Sequence, residues 1–210
     1  MAADSSDRPP AGVVLDLGNV LIRWDPEAAL AAGVGAEEAR RFLAAEDFDF
    51  AAWNLRQDQG RRWDEALAEL QANHPHWARH GEAYVANFAA SLSEVPGSLD
   101  LVRDLHAAGV PTVGLTNWSD ELYHRYAAGR FEVLRLLDDV VVSGEVKVAK
   151  PDPRAFAIAA ERIGLPYERL VFADDNPPNV DAAAALGMDA VLFTGADDLR
   201  RHLRERGLPV

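Results

Sequence analysis

Gly12-Val13-Val14-Leu15-Asp16-Leu17-Gly18-Asn19-Val20-Leu21 decides how the chain is read, because a short apolar run ends abruptly in an acid. Apolar residues at every position of so short a run mark a strand buried on both faces, as in a parallel sheet. Similar runs recur at 110–115, 140–142, 170–173 and 190–193. Helix patterns separate them. Ser98 can cap a helix that carries Leu101, Val102, Leu105 and Ala108 on one face and stops at Gly109. Asp152 and Pro153 open another that buries Phe156, Ala159 and Ile163 before Gly164, and a third at 178–186 is closed by Gly187. Strands and helices in alternation predict an α/β fold, a parallel sheet wrapped by helices.

Residues 24–95 break this rhythm. They lack a strong strand signal and read as helices at 26–32, 36–46, 61–71 and 77–92. So long a helical stretch between the first and second core strands is an inserted module and not a crossover. In open α/β sheets ligands bind beyond the carboxyl ends of the strands, so a module inserted there covers the site like a lid. The expected organisation is a core of 11–23 and 96–210 with a helical cap of 24–95.

Composition narrows the partners. The 210 residues carry a net charge of −13, which argues against nucleic acid or an anionic membrane surface and tolerates a bound divalent cation. Without cysteine, disulfides, thiolate chemistry and Cys-ligated zinc are excluded. The polar start, MAADSSDRPP, lacks the layout of a secretory signal, and no apolar run nears the roughly 20 residues of a membrane span. The expectation is a cytoplasmic protein, monomer or dimer, acting on a small molecule.

Polar residues gather where the strands stop. The first run ends in Asp16-Leu17-Gly18-Asn19, the second in Thr116-Asn117-Trp118-Ser119 and the fourth in Asp174-Asp175-Asn176, while the third is followed by the loop that reaches Lys150-Pro151. Loops at one edge of a parallel sheet converge, so these residues can form one site. Carboxylates packed so closely repel unless a cation compensates, and their oxygens suit magnesium or another divalent cation. A lysine and a hydroxyl beside such an ion fit a phosphoryl group, and a carboxylate there can be the nucleophile. For any single loop, a turn or helix cap is the competing explanation; Asp152 is read as a cap only. Four loops together are harder to explain so.

Asp16-Leu17-Gly18-Asn19-Val20-Leu21, Thr116-Asn117, Lys150-Pro151 and Asp174-Asp175 resemble, in order and spacing, the four motifs of the haloacid-dehalogenase superfamily. The resemblance covers nearly the whole chain and implies a Rossmann-like core with a C1-type helical cap. It implies that Asp16 is the nucleophile and a metal ligand. Thr116 and the backbone of Asn117 would bind the transferring group, and Lys150 would hold Asp16 and the phosphoryl oxygens. Asp174, the Gly18 carbonyl and, through water, Asp175 would complete a magnesium site; Asn19 is a further candidate substrate contact.

Gly18 departs from the pattern. Most phosphatases of the superfamily carry there a second Asp as general acid and base, a role typically worth about 10²- to 10⁴-fold. A metal-independent 2-haloacid dehalogenase expels halide and needs no such proton, and Thr116-Asn117 resembles the Ser-Asn of those enzymes. Dehalogenases, however, replace the acids of the fourth motif, and Asp174-Asp175 would then be uncompensated charge. The expectation is therefore a magnesium-dependent phosphomonoesterase working through an aspartyl-phosphate on Asp16. The Asp-Leu-Gly-Asn-Val and Asp-Asp-Asn-x-x-Asn strings look like a branch that includes sugar-1-phosphate phosphatases, whose leaving oxygen is less basic. A catalytically silent relative that binds a metabolite or a protein is the alternative outside enzymes. Phosphonate cleavage through a cap lysine is excluded, because 24–95 contains no lysine.

The weaker signals lie in the cap. In Trp53-Asn54-Leu55-Arg56-Gln57-Asp58, Trp53 could stack on a sugar and Arg56 could hold a second anion. Trp24 is read as packing, and His74, His76 and His80 as a solvated cap surface despite a spacing that zinc could use. Asn176 and Asn179 suit a helix start, with Asn179 a candidate to orient Asp16 or Lys150.

Overall fold

The computed structural model describes residues 9–210, so most of the polar start lies outside the described residues. Its centre is a five-stranded parallel sheet in the order β5-β4-β1-β6-β7. The strands are β1 (Gly12–Leu15), β4 (Thr112–Thr116), β5 (Asp139–Val142), β6 (Leu170–Asp174) and β7 (Asp189–Leu192). Two further strands, β2 (Ile22–Trp24) and β3 (Leu92–Glu94), form a separate antiparallel pair in the register Ile22↔Glu94 and Trp24↔Leu92.

Period-2 alternation sorts the core. Val13 and Leu15 face one apolar cluster, shared with the inserted helices, while Val14 faces another with Val113, Phe156 and Phe172. Both faces of β1 are thus covered, which is why all four of its residues are apolar and buried. On either side of β1 lie β4 and β6, which the chain reaches in opposite directions, so the carboxyl end of β1 is the switch point where open sheets bind ligands.

Between β2 and β3 run α1 (Pro26–Val34), α2 (Ala36–Leu43), α3 (Phe50–Asp58), α4 (Trp63–Asn73) and α5 (Ala78–Ala86). Around the sheet lie α6 (Ser98–Ala107), α7 (Asp120–Tyr126), α8 (Glu132–Arg135), α9 (Ser143–Val146), α10 (Pro153–Ile163), α11 (Pro177–Ala185) and α12 (Ala196–Glu205). Among the described residues, no helix is long and apolar enough to cross a membrane.

The structure corrects several local expectations. Residues 36–46 form a helix only to Leu43, and 77–92 break into α5 and two single 3₁₀ turns. The strand β3 arises at the end of the stretch read as helical, and β2 at the boundary between core and cap, where no strand is expected. Each has three residues and finds its ladder partner some seventy positions away, so neither shows a local pattern. His80 is not solvated: it is buried, stacks on Phe42 with ring centroids 5.3 Å apart, and meets Glu38 through Nε2 at 3.2 Å. His76 is exposed and pairs with Asp47 at 2.8 Å.

Candidate active site

Asp16 leaves β1 at its carboxyl end, with its backbone N–H still donating to Ala173 across the sheet. Its Oδ1 accepts from the Leu17 N–H at 2.8 Å and meets Lys150 Nζ at 2.7 Å. The Leu17 carbonyl accepts from Leu21 and Ile22, curling the chain through Gly18 and Asn19 into β2. Asn19 sits at φ 56°, a conformation Asn tolerates better than most residues. Its Oδ1 accepts from the Trp24 N–H at 3.1 Å and its Nδ2 donates to Asp175 Oδ2 at 3.3 Å.

At the end of β6, Asp174 is fully buried. Its Oδ2 takes Lys150 Nζ at 2.6 Å and Asn179 Nδ2 at 3.0 Å, and its Oδ1 caps the Asn176 N–H at 2.8 Å. Asn179 thus orients Asp174, rather than Asp16 or Lys150. Lys150 bridges both acids from a buried position held by Asn117, whose side chain bonds both backbone groups of Lys150. Burial alone would lower the Lys150 pKa; Asp16 and Asp174 outweigh it and raise it.

An oxygen from each of Asp16, Asp174 and Asp175 lies within 4.8 Å of the others. Three carboxylates against one ammonium leave two negative charges uncompensated. The consequence shows in Asp16, whose pKa is raised to about 7 by burial first and by Asp174 and Asp175 next, although Lys150 opposes the shift. Burial and Asp174 also raise Asp175. The donor set is hard, anionic and undercompensated, so it fits a divalent cation with oxygen ligands.

Beside this cluster lies a cavity of about 70 Å³ lined on the core side by Gly18, Thr116, Asn117 and Ser119. A Cβ built on Gly18 would meet only Asp16 Oδ2, at 3.9 Å, so the glycine leaves open space and not a tight contact. Gly144 is the opposite case. A Cβ there would lie 2.5 Å from the Asp120 backbone nitrogen, and its own N–H donates to Trp118 at 3.0 Å, pinning the 116–120 loop.

The inserted helices close the cavity from above. Trp24 Nε1 donates to Tyr84 Oη at 3.3 Å, Tyr84 Oη donates to Asn54 Oδ1 at 3.1 Å, and Asn54 Nδ2 donates to Asp58 Oδ2 at 3.0 Å. Trp24, Asn54, Asp58 and Tyr84 all line the cavity. Two further bonds tie α3 and α4 to the loops below: Trp63 Nε1 donates to Ser119 Oγ at 2.8 Å, and Ser143 Oγ donates to the Asp58 carbonyl.

The structure therefore brings together Asp16, Gly18, Asn19, Thr116, Asn117, Lys150, Asp174 and Asp175, but not Trp53 and Arg56. Trp53 is buried among the helices of the insertion, with Nε1 donating to the Ala66 carbonyl. Arg56 pairs with Glu69 at 3.0 Å in an outer groove. The helix that carries this stretch presents a different face to the cavity. Asn54 and Asp58, four apart on α3, point to the cavity, and residues 53 and 56 lie off that line. Trp24, expected as packing, lines the cavity as well. Asp58 closes the run singled out in sequence but had no role assigned there, and Tyr84 and Trp63 carry no signal beyond their place in the insertion.

A family model of haloacid dehalogenase-like hydrolases matches residues 10–187. A probable pseudouridine-5'-phosphatase of Drosophila melanogaster is 32% identical, over 59% of this chain and 56% of that protein. An (S)-2-haloacid dehalogenase of Pseudomonas sp. (strain CBS-3) is 30% identical, over 48% of this chain and 44% of that one. The chain spans about half the length of these curated relatives. Among solved structures, a family enzyme of Bacteroides thetaiotaomicron in complex with magnesium and inorganic phosphate superposes with a TM-score of 0.73. The match covers 93% of this chain and 100% of that one at 21% identity, which is a likeness of fold.

Proposed function

Since the chain belongs to the haloacid dehalogenase-like hydrolase family, we propose that it is a magnesium-dependent phosphomonoesterase acting on a small molecule through Asp16. The observation that carries this reading is the charge at the sheet edge: three carboxylates within reach of one another and a single lysine between two of them. Asp16, Asp174 and the Gly18 carbonyl would hold the ion, with Asp175 assisting. When bound, magnesium offsets the carboxylates and draws charge from the phosphoryl oxygens.

The protein's own groups do the rest. Lys150 and the Leu17 N–H hold Asp16 Oδ1, which leaves Oδ2 to attack phosphorus. The Thr116 hydroxyl and the Asn117 N–H bind the phosphoryl oxygens, and Lys150 balances the charge that builds on them. A bond forms from Asp16 to phosphorus as the bond to the leaving oxygen breaks. Water then cleaves the aspartyl-phosphate, freeing Asp16 and inorganic phosphate.

The cavity narrows the alcohol part of the substrate. Trp24, Trp63, Tyr84, Phe88, Trp118 and Leu122 line it, and among the described residues no arginine, lysine or histidine does. That wall favours an uncharged alcohol over one bearing a second anion, and an aldose 1-phosphate is one candidate of this kind. The similarity to a dehalogenase and the glycine at position 18 favour halide displacement as the second reading, but it leaves the Asp174-Asp175 pair uncompensated.

Phosphate release from small phosphomonoesters and chloride release from 2-chloroacids, each with magnesium and with a chelator, separate these readings. Magnesium-dependent phosphate release that disappears in Asp16→Asn is the expected result. Chloride release in chelator, or neither activity across a broad panel, would overturn the proposal.

A further inference from the structure

The cavity holds a carboxyl group that the chemistry above does not use. Asp58 ends α3 in the insertion and is buried, yet it lines the same cavity as Gly18, Thr116 and Asn117. It is held to the loop that would bind the phosphoryl group. Ser143 Oγ, which also accepts from the Trp118 N–H, donates to its backbone carbonyl, and the Ser119 backbone favours the ionised form of its carboxyl. Asn54 Nδ2 fixes Oδ2 from the other side, and Asn54 is itself fixed by Tyr84 and Trp24. Asp58 is thus tied to residues 116–119 through Ser143.

Opposite it, the position after Asp16-Leu17 is a glycine with free space where a side chain could stand. Resting on the phosphomonoesterase reading, we infer that Asp58 is the general acid of this protein, supplying from the insertion the proton that no side chain at position 18 can supply. As Asp16 bonds to phosphorus and the ester P–O bond breaks, the Asp58 carboxyl gives its proton to the leaving oxygen and becomes a carboxylate. That carboxylate then takes a proton from the water that cleaves the aspartyl-phosphate, and the cycle closes with no other reactant.

The surroundings suit the role. Burial pushes the Asp58 carboxyl up to about 7, and the Ser119 backbone and the Asn54 side chain pull it back only in part, so it holds a proton near neutrality without holding it too tightly. Among the described residues, Tyr84 is the other titratable group lining the cavity. Its phenol is raised well above the usual range, by burial first and then by Asp58, and its own proton is committed to Asn54. It is a poor donor by comparison. With Asp58 as donor, the substrate does not need an intrinsically good leaving group, and ordinary alkyl phosphates come within reach.

The test is a leaving-group series on the full chain with magnesium, running from p-nitrophenyl phosphate through phenyl phosphates to an alkyl phosphate. For the unaltered protein, kcat/KM is expected to depend only weakly on leaving-group basicity. In Asp58→Asn, which keeps the shape of the side chain, the ratio of alkyl to p-nitrophenyl turnover is expected to fall by roughly 10²-fold or more, the usual worth of general acid catalysis. Adding Gly18→Asp to Asp58→Asn is expected to restore part of that ratio. A ratio unchanged in Asp58→Asn, whatever the absolute loss, would show a purely structural residue and overturn the inference. So would a steep dependence in the unaltered protein, which can be measured even if the variant fails to fold. No phosphate release from p-nitrophenyl phosphate, whose leaving group needs no proton, would instead remove the phosphomonoesterase reading and this inference with it.

Discussion

Asn117 grips the backbone of Lys150 on both sides: its Oδ1 accepts from the Lys150 N–H at 2.8 Å, and its Nδ2 donates to the Lys150 carbonyl at 2.9 Å. Two residues from different strand-end loops are thereby locked into one unit. The ammonium that reaches Asp16 and Asp174 is aimed by this clamp.

Asn117→Ala should therefore act through Lys150. Two lost hydrogen bonds of about 0.5–1.5 kcal/mol each predict a destabilisation of roughly 1–3 kcal/mol in urea unfolding. A kcat loss larger than any change in KM is expected, because the lysine would be misaimed at the reacting group. A pure KM effect would assign Asn117 to substrate binding alone.

Asp58 also sets a pH dependence of stability. Its folded pKa near 7 lies above the ordinary 3.8, so between about pH 4 and 7 the folded chain holds a proton that the unfolded chain has released. Its contribution to stability is therefore present at low pH and is lost as pH rises through 7. Asp16, raised to about 7 by burial, acts in the same direction. Asp58→Asn should gain on the unaltered protein by roughly 1–3 kcal/mol between pH 5 and pH 8, with a residual slope from Asp16. Parallel pH–stability curves for the two proteins would refute this.

Magnesium should stabilise the fold by relieving the carboxylates. At a hundredfold excess over its dissociation constant it should add about 2.7 kcal/mol, visible as a higher melting temperature at pH 8 than in chelator. The effect should weaken toward pH 5, where Asp16 is protonated and competes with the ion. Asp174→Asn should abolish it. An equal shift in Asp174→Asn would place the ion elsewhere.

Much of the site was legible in sequence, for a physical reason. Asp16, Thr116 and Asp174 each follow or end a run of buried residues, so the edge of the sheet announces itself as a change from apolar to polar. Lys150 is legible for another reason, as one of only two lysines in the chain. The face of α3 was not legible. Phe50, Trp53, Gln57 and Asp58 are all buried, so no single stripe tells which side meets the cavity and which meets α4. Tertiary packing decides: Trp53 turns onto Trp63 and Arg56 onto Glu69, while Asn54, bonded to Tyr84, and Asp58 turn to the cavity.

The β2–β3 ribbon has a consequence for redesign. The chain leaves the core and returns to it on two adjacent strands, with Trp24 opposite Leu92 and Ile22 opposite Glu94. Everything between them is a cassette plugged in through a two-pin socket. A graft from another protein has to match one pair of backbone ends, and the sheet beneath keeps its connectivity. Such an exchange would carry Trp63, Tyr84 and Phe88 away together and leave Trp118 and Leu122, with Asp16, Lys150 and Asp174, behind in the socket.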